Sequence, residues 1–175
     1  EETFTVKRLP QFGPNVIALY GVFKRYLRAQ KNEKVDQSGA RPNYNSLPNG
    51  WAWERWIVIN RGVGKIFLKS FHNTYLSVPM GKNTNIKTIS KKTLNTPVMG
   101  RLFRRMATFT PTWITTGGKG IMEPFKNGRR LRLQTLVKSK YLRMHRNGRT
   151  VYHGGAGREE TFTVKRLPQF GPNVI

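Results

Sequence analysis

Short stretches in which apolar and polar residues alternate recur along the whole chain, and Gly, Asn or Pro closes most of them. Such alternation is typical of β-strands with one buried face. The runs span residues 16–20, 26–29, 56–59, 66–69, 75–78, 131–136, 141–144, 150–152 and 161–164. The nearest approach to a helical period, 93–107, is interrupted by Pro97 and Gly100 and is predicted to be a loop with a helical turn at 101–106. The pattern predicts an almost all-β domain.

The runs also follow a threefold internal order. Each lobe has an apolar strand, a strand centred on Tyr-Leu, a short strand after a Gly or Asn turn, and a final strand that begins near an aromatic residue. The Tyr-Leu pairs stand at 26–27, 75–76 and 141–142. The first lobe runs over 16–58, the second over 66–111 and the third over 131–164. We therefore expect three lobes of four strands each.

The order of these parts resembles the β-trefoil domains of fascin and hisactophilin, which are actin-bundling and actin-binding proteins. The resemblance is carried by Leu68-Lys69-Ser70 with Tyr75-Leu76-Ser77, by 139–143 with Asn147-Gly148, and by 53–58. It implies an all-β β-trefoil of about twelve short strands. The second lobe departs from the family pattern by a basic insertion between Ile89 and Ala107 and by Pro111 in its last strand. A trefoil fold does not by itself fix the function.

Within such a barrel, most of the shared residues have structural roles. Leu27, Leu76 and Leu142 should point into the barrel, because they alternate with polar neighbours. Their partners Tyr26, Tyr75 and Tyr141 are expected to cover the rim with the hydroxyl in water. Packing positions are also predicted for Trp53, Trp56, Phe109, Trp113 and Phe162. Trp51 follows the Pro, Asn and Gly-rich loop 38–50, where exposure would make it an interface aromatic.

The first seventeen residues return unchanged as the last seventeen, at an offset of 158 residues. An identical repeat predicts one 158-residue unit of a tandem array; an artificial duplication of one end is the alternative. We expect residues 1–13 to be the last strand and linker of a preceding unit, 14–168 to be the trefoil, and 169–175 to begin the next unit. Residues 9–14 hold two prolines and a glycine, so neighbouring units should meet at a fixed angle. Either copy of the duplicated strand could complete the domain.

The charge balance is strongly positive, with 32 Lys and Arg against 8 Asp and Glu and a net charge of +24. Between Arg61 and Arg158 there are 21 cationic residues and one acid, Glu123. Charge of this density repels itself, so it favours a partner of opposite sign. In an array, weak binding by each unit would be multiplied by avidity.

Two groups of cations are candidate contacts with such a partner. The second-lobe cluster, in and around the insertion, comprises Lys82, Lys87, Lys91, Lys92, Arg101, Arg104 and Arg105. The third-lobe cluster comprises Arg129, Arg130, Arg132, Lys138, Lys140, Arg143, Arg146 and Arg149.

Enzymatic chemistry finds little support in the sequence. There is no Cys, and the three His residues have no local partner pattern for a metal or a catalytic triad. The paired acids Glu159-Glu160 are adjacent in a predicted strand and so face opposite sides. No cofactor or metal is expected. No stretch approaches the length of a transmembrane helix, and we expect a cytoplasmic, cytoskeleton-associated module.

The favoured hypothesis is binding and cross-linking of an acidic cytoskeletal filament. The family resemblance implies F-actin, whereas the acidic surface of microtubules suits the charge at least as well. The alternative is a nucleic-acid binder without sequence preference, which is less favoured because the aromatics occupy predicted packing positions. Binding to a heparin-like polymer or to anionic lipid is a third hypothesis.

Overall fold

The structure is a computed structural model. It describes residues 15–80, 85–113, 128, 130–137, 140–147, 151–154 and 161–166, with the backbone alone at 113, 151–154 and 164–166. Its strands are β1 (Val16–Gly21), β2 (Leu27–Ala29), β3 (Val35–Gln37), β4 (Trp56–Asn60), β5 (Ile66–Ser70), β6 (Thr74–Ser77), β7 (Lys87–Ser90), β8 (Phe109–Trp113), β9 (Arg130–Thr135), β10 (Tyr141–Met144), β11 (Val151–Gly154) and β12 (Thr161–Arg166). Two short helices, α1 (Lys91–Leu94) and α2 (Gly100–Met106), lie between β7 and β8.

Six strands close into a barrel. Strand β1 pairs with β12 and β4, β5 pairs with β4 and β8, and β9 pairs with β8 and β12, all antiparallel. The other six form three hairpins, β2–β3, β6–β7 and β10–β11. Each lobe thus gives two strands to the barrel and two to a hairpin. This arrangement is a β-trefoil, and the predicted three lobes of four strands are confirmed.

Alternating side chains fill the barrel interior. The predicted inward residues Leu27, Leu76 and Leu142 are fully buried and share one core with Trp56 and Phe109. The burial pattern of β9 alternates residue by residue, as expected for a strand with one face in the core. The hydrophobic pattern therefore indicates the inward face where residues alternate, as in β9, whereas β1 is buried along its whole length.

Contacts between hairpins join the three lobes at one end of the barrel. The Gln37 side-chain amide donates to the backbone oxygen of His145 at 3.0 Å, which connects the first lobe to the third. The Thr88 amide donates to the backbone oxygen of Glu33 at 2.8 Å, which connects the second lobe to the first. These hydrogen bonds fix the lobes relative to one another.

The segment between β7 and β8 differs from the prediction of a loop with one helical turn. Helix α2 begins one residue before the predicted turn and ends at the same residue, and α1 was missed. The Ser90 side chain caps α1 by accepting a hydrogen bond from the Thr93 amide at 3.1 Å. Pro97, which interrupts the helical pattern, lies between the two helices.

The rim role predicted for Tyr26 is wrong. Its side chain is fully buried, and its hydroxyl donates to the backbone oxygen of Tyr44 at 2.6 Å instead of facing water. The loop after β3 covers this part of the barrel. Burial raises the pKa of Tyr26, and it raises that of the adjacent Tyr20 to about 12.

The C-terminal copy of the duplicated segment supplies β12. Residues Phe162 to Arg166 pair in register with Gly21 to Ile17 of β1. Residues 1–14, which include the other copy of this strand, lie outside the described residues, as do 167–175. The tandem array and the predicted domain boundaries stay predictions.

Candidate polyanion-binding surface

The two helices of the insertion carry most of the second-lobe cluster. Lys91 and Lys92 are exposed on α1, and Arg101 and Arg105 are exposed on α2. Arg101 and Arg105 are four residues apart, so they lie on one face of the helix. From residue 61 to 122 the sequence contains no acidic residue, so no carboxylate within this segment neutralises the four cations.

The insertion packs on a small apolar cluster that it shares with the second-lobe strands and that is separate from the barrel core. Leu94 of α1 is buried against the outer face of the second lobe, in a cluster with Phe67, Tyr75 and Ile89. Helix α2 approaches α1 closely at Gly100, where an added Cβ would lie 2.8 Å from the backbone oxygen of Leu94. The exposed cations are therefore held on a packed support.

Arg104 has a structural role that its membership of the second-lobe cluster does not predict. Its guanidinium donates to the backbone oxygen of Leu94 at 3.0 Å, at the C-terminal end of α1, and the side chain is half-buried. A cation at a helix C-terminus also stabilises the helix dipole. Of the arginines in α2, Arg104 thus contributes least to the exposed charge.

Lys87 lies apart from the helices, at the start of β7. It is exposed and forms an isolated bridge with Lys34, which follows Glu33 in the β2–β3 turn. The exposed Glu33 of the same turn accepts a hydrogen bond from the Thr88 amide through its backbone oxygen, so both signs of charge occur at this junction of the second and first lobes. Lys82 lies outside the described residues.

The third-lobe cluster is less uniform in its exposure. Arg130 and Arg132 point outward from β9 and are half-buried, and the Arg132 guanidinium donates to the Thr161 hydroxyl at 3.2 Å. Arg143 on β10 is half-buried as well. Lys140 and Arg146 are exposed. Arg129, Lys138 and Arg149 lie outside the described residues.

Strand pairing places the two clusters on neighbouring elements. The chain runs from α2 directly into β8, which pairs with β9 along its whole length and sets Thr112 opposite Arg132. The Leu136 amide also donates to the backbone oxygen of Thr108, just beyond α2, at 3.2 Å. The chain that leaves the second-lobe helices is therefore paired directly with the strand that carries Arg130 and Arg132.

The interface aromatic predicted at Trp51 is only partly accessible. Its ring is half-buried, and the Arg41 guanidinium lies 4.1 Å from the ring centroid. Trp53, predicted to pack in the core, is instead 41% exposed. It meets His72 edge-on at 5.3 Å, and the 59% exposed Phe71 lies beside the same imidazole. Both tryptophans precede the same strand in the sequence, and no residue pattern there indicates that Trp51 is partly covered while Trp53 is exposed.

A cleft of about 300 Å³ opens beside these aromatics, lined by Arg28, Gly50, Trp51, Ala52, Trp53 and Glu54. Arg28 makes a two-pronged ion pair with Asp36, with both N···O distances at 2.8 Å. Burial raises the pKa of the Glu54 carboxyl, and the nearby Arg28 guanidinium partly opposes that effect. The positive charge of Arg28 is thus already paired within the fold.

The described part of the chain lacks the features of a metal site or a membrane-crossing helix. Its His, Asp and Glu residues do not form a group of three that could hold a metal ion. Neither described helix has the length and apolar character that crossing a bilayer requires.

Comparison with known proteins supports the architecture. No protein-family model matches the chain, and no curated protein does. Among solved structures, the chain is similar to ThreeFoil, a designed threefold-symmetric protein, with a TM-score of 0.57 and 13% sequence identity. The match covers 85% of this chain and 96% of that protein. At this identity the likeness shows the fold alone, and it agrees with the three-lobed barrel.

Proposed function

We propose that this chain is a non-enzymatic, strongly basic β-trefoil module that binds an acidic cytoskeletal filament and, as a tandem array, decorates or cross-links it. The observation that carries the proposal is the net charge of +24, together with exposed cations on packed helices in an acid-free segment. Opposite charge would draw the module to a polyanion, and the interaction would weaken as salt is added. The proposed location is cytoplasmic, on the cytoskeleton.

The choice of a filament is supported by the resemblance to fascin and by the duplicated segment. Repeated units joined at a fixed spacing suit a periodic partner, because successive units can bind at once. F-actin follows from the resemblance, and microtubules offer an equally acidic surface. Both filaments therefore belong in the test.

Nucleic acid is the alternative partner, and the placement of the aromatics disfavours it. Binders of single strands present aromatic rings for base stacking among exposed cations. Trp56, Phe109 and Phe162 are instead fully buried. Among the described aromatics, the exposed Trp53 and Phe71 pack against His72 in the first and second lobes. Heparin and random-sequence DNA serve as the polyanions that test specificity.

The proposal is tested by cosedimentation of the whole chain with F-actin and, separately, with microtubules at low and physiological salt. Lys91→Glu with Lys92→Glu should weaken binding to the true filament by on the order of tenfold or more, because two contacts become repulsive. The matched control reverses Lys24 and Lys31, which are exposed in first-lobe turns, so that the change in net charge is the same.

The control pair should lose far less affinity than the helix pair. Equal losses would reject the second-lobe cluster as the site and leave only non-specific attraction. Retention on heparin or DNA without binding to either filament at physiological salt would reject the cytoskeletal function.

A further inference from the structure

The turn between α1 and α2 exposes two adjacent apolar side chains. Val98 is 87% exposed and Met99 is 44% exposed. Other apolar residues of the insertion, Leu94 and Met106, are buried beneath the helices. Single exposed apolar residues are common on protein surfaces. Val98 and Met99 differ from such single residues because they are adjacent in one turn and lie between cationic residues.

Four exposed cations flank this apolar pair. Lys91 and Lys92 precede it on α1, and Arg101 and Arg105 follow it on α2. No acidic residue occurs within the same stretch of sequence. Along the chain, the exposed apolar pair thus lies between two pairs of exposed cations.

Hydrogen bonds hold the turn in shape. The Gly100 amide donates to the Thr96 backbone oxygen at 2.7 Å, and the Phe103 amide donates to that of Met99 at 3.0 Å. The Arg104 guanidinium joins α2 to the end of α1. Because the tip is already ordered, little conformational entropy is lost when it contacts a surface.

We propose that the α1–α2 turn docks on the surface of an anionic lipid bilayer, with Val98 and Met99 entering the boundary between headgroups and acyl chains. The four cations then lie against the anionic headgroups. An acidic filament would complement the cations but would leave a protruding valine to be covered by a matching apolar pocket. The surface of an anionic bilayer offers negatively charged headgroups to the cations and, directly beneath them, an apolar boundary to Val98 and Met99.

This inference rests on the proposed function only for the electrostatic role of the second-lobe cations, and it goes beyond that function by giving the same cations a membrane surface in place of a filament. Each cation near an anionic surface strengthens partitioning by roughly fivefold. Removing the apolar pair should weaken partitioning by about tenfold, through the loss of buried apolar area. Val98 and Met99 distinguish membrane docking from filament binding, because filament binding through charge does not require these two side chains.

The test is cosedimentation of the whole chain with vesicles of phosphatidylcholine alone and of phosphatidylcholine mixed with phosphatidylserine, at physiological salt. Val98→Ser with Met99→Ser should lose about tenfold in affinity for the mixed vesicles while keeping the thermal unfolding midpoint and the affinity for heparin. The control is Val63→Ser, because Val63 is 95% exposed in the turn between β4 and β5, flanked there by Arg61 and Lys65. This control should bind the vesicles as the original chain does.

A second measurement places the tip directly. Because the chain contains no cysteine, Val98→Cys can carry a single environment-sensitive fluorophore. Its emission should shift to the blue with phosphatidylserine vesicles and stay unchanged with heparin, whereas a probe at Val63→Cys should not shift.

Unchanged vesicle binding by the serine double variant, or no shift at position 98 when vesicles are bound, would overturn the docking proposal. The charge-based function would stand in that case, because the heparin and filament arms test it separately. A loss of heparin binding in the serine variant would also overturn the apolar role, since it would show that the substitution disturbs the cations.

Discussion

The indole Nε1 of Trp56 donates a hydrogen bond to the backbone oxygen of Leu27 at 3.1 Å, inside the fully buried core of the barrel. The bond joins barrel strand β4 to hairpin strand β2 of the same lobe. It gives a buried carbonyl a partner that water cannot supply there.

Trp56→Phe should therefore lower the free energy of unfolding by about 2–3 kcal/mol, since it removes the indole donor from the buried Leu27 oxygen and opens a small cavity. Trp53→Phe is the matched control, because that indole is 41% exposed, and it should change stability by less than about 0.5 kcal/mol. Urea unfolding of both variants measures the difference. Equal effects would contradict the assignment of Trp56 to the core.

Arg104 and Arg105 are neighbours in α2 with different predicted roles. Arg104→Ala should lower the free energy of unfolding by about 1–2 kcal/mol, because it removes a charged hydrogen bond to the Leu94 oxygen. Arg105→Ala should leave stability within about 0.5 kcal/mol but weaken binding to heparin. Thermal unfolding and salt elution from heparin distinguish the two roles. A loss of stability in Arg105→Ala, with a loss of heparin binding in Arg104→Ala, would mean that the structural and binding roles of the two arginines are interchanged.

Gly100 sets the distance between α1 and α2. Gly100→Ala should destabilise the protein by about 1–3 kcal/mol, because the new methyl group would meet the backbone oxygen of Leu94 at 2.8 Å. Gly50→Ala is the control, since no atom lies within 4 Å of its added Cβ. Comparison of unfolding midpoints tests the packing of the insertion. A neutral or stabilising effect at position 100 would show that the helices are farther apart than described.

Glu54 provides a pH-dependent test of burial. Because burial raises the pKa of its carboxyl in the folded state, the folded protein holds this proton more tightly than the unfolded chain does. The ionised carboxylate therefore costs stability above the folded-state pKa, and that cost disappears below the unfolded value of about 4.3.

Glu54→Gln should thus raise the free energy of unfolding at neutral pH and lose this advantage as the pH falls below about 4. Urea unfolding across that range measures the difference between the two proteins. A variant that is less stable than the original at neutral pH would mean that the backbone hydrogen bond to the carboxylate, together with Arg28 and Arg55, outweighs burial.

Much of the fold could be predicted from sequence, because alternation of apolar and polar residues encodes which face of a strand is buried. Strand β10 has the predicted bounds, and Leu27, Leu76 and Leu142 enter the core as expected. Helix α1 was missed because four residues are too few to establish a helical period, and its stability comes from the Ser90 cap and the burial of Leu94.

The details of the surface depend on contacts between residues remote in sequence. Trp51 is covered because Arg41 stacks on it, and Trp53 is exposed beside His72. Arg104 turns back to α1, although composition makes it equivalent to Arg101 and Arg105. Charge clustering can therefore locate a positive region, but it cannot separate exposed cations from those that stabilise the fold.

If the repeated basic trefoil binds one kind of acidic filament, several units should engage that filament at once. Cosedimentation with F-actin and with microtubules at physiological salt can compare one 158-residue unit with a protein carrying two such units. The two-unit protein should bind one of the filaments on the order of a hundredfold more tightly than the single unit. Equal binding by both proteins, or binding to DNA and heparin without either filament, would contradict the claim.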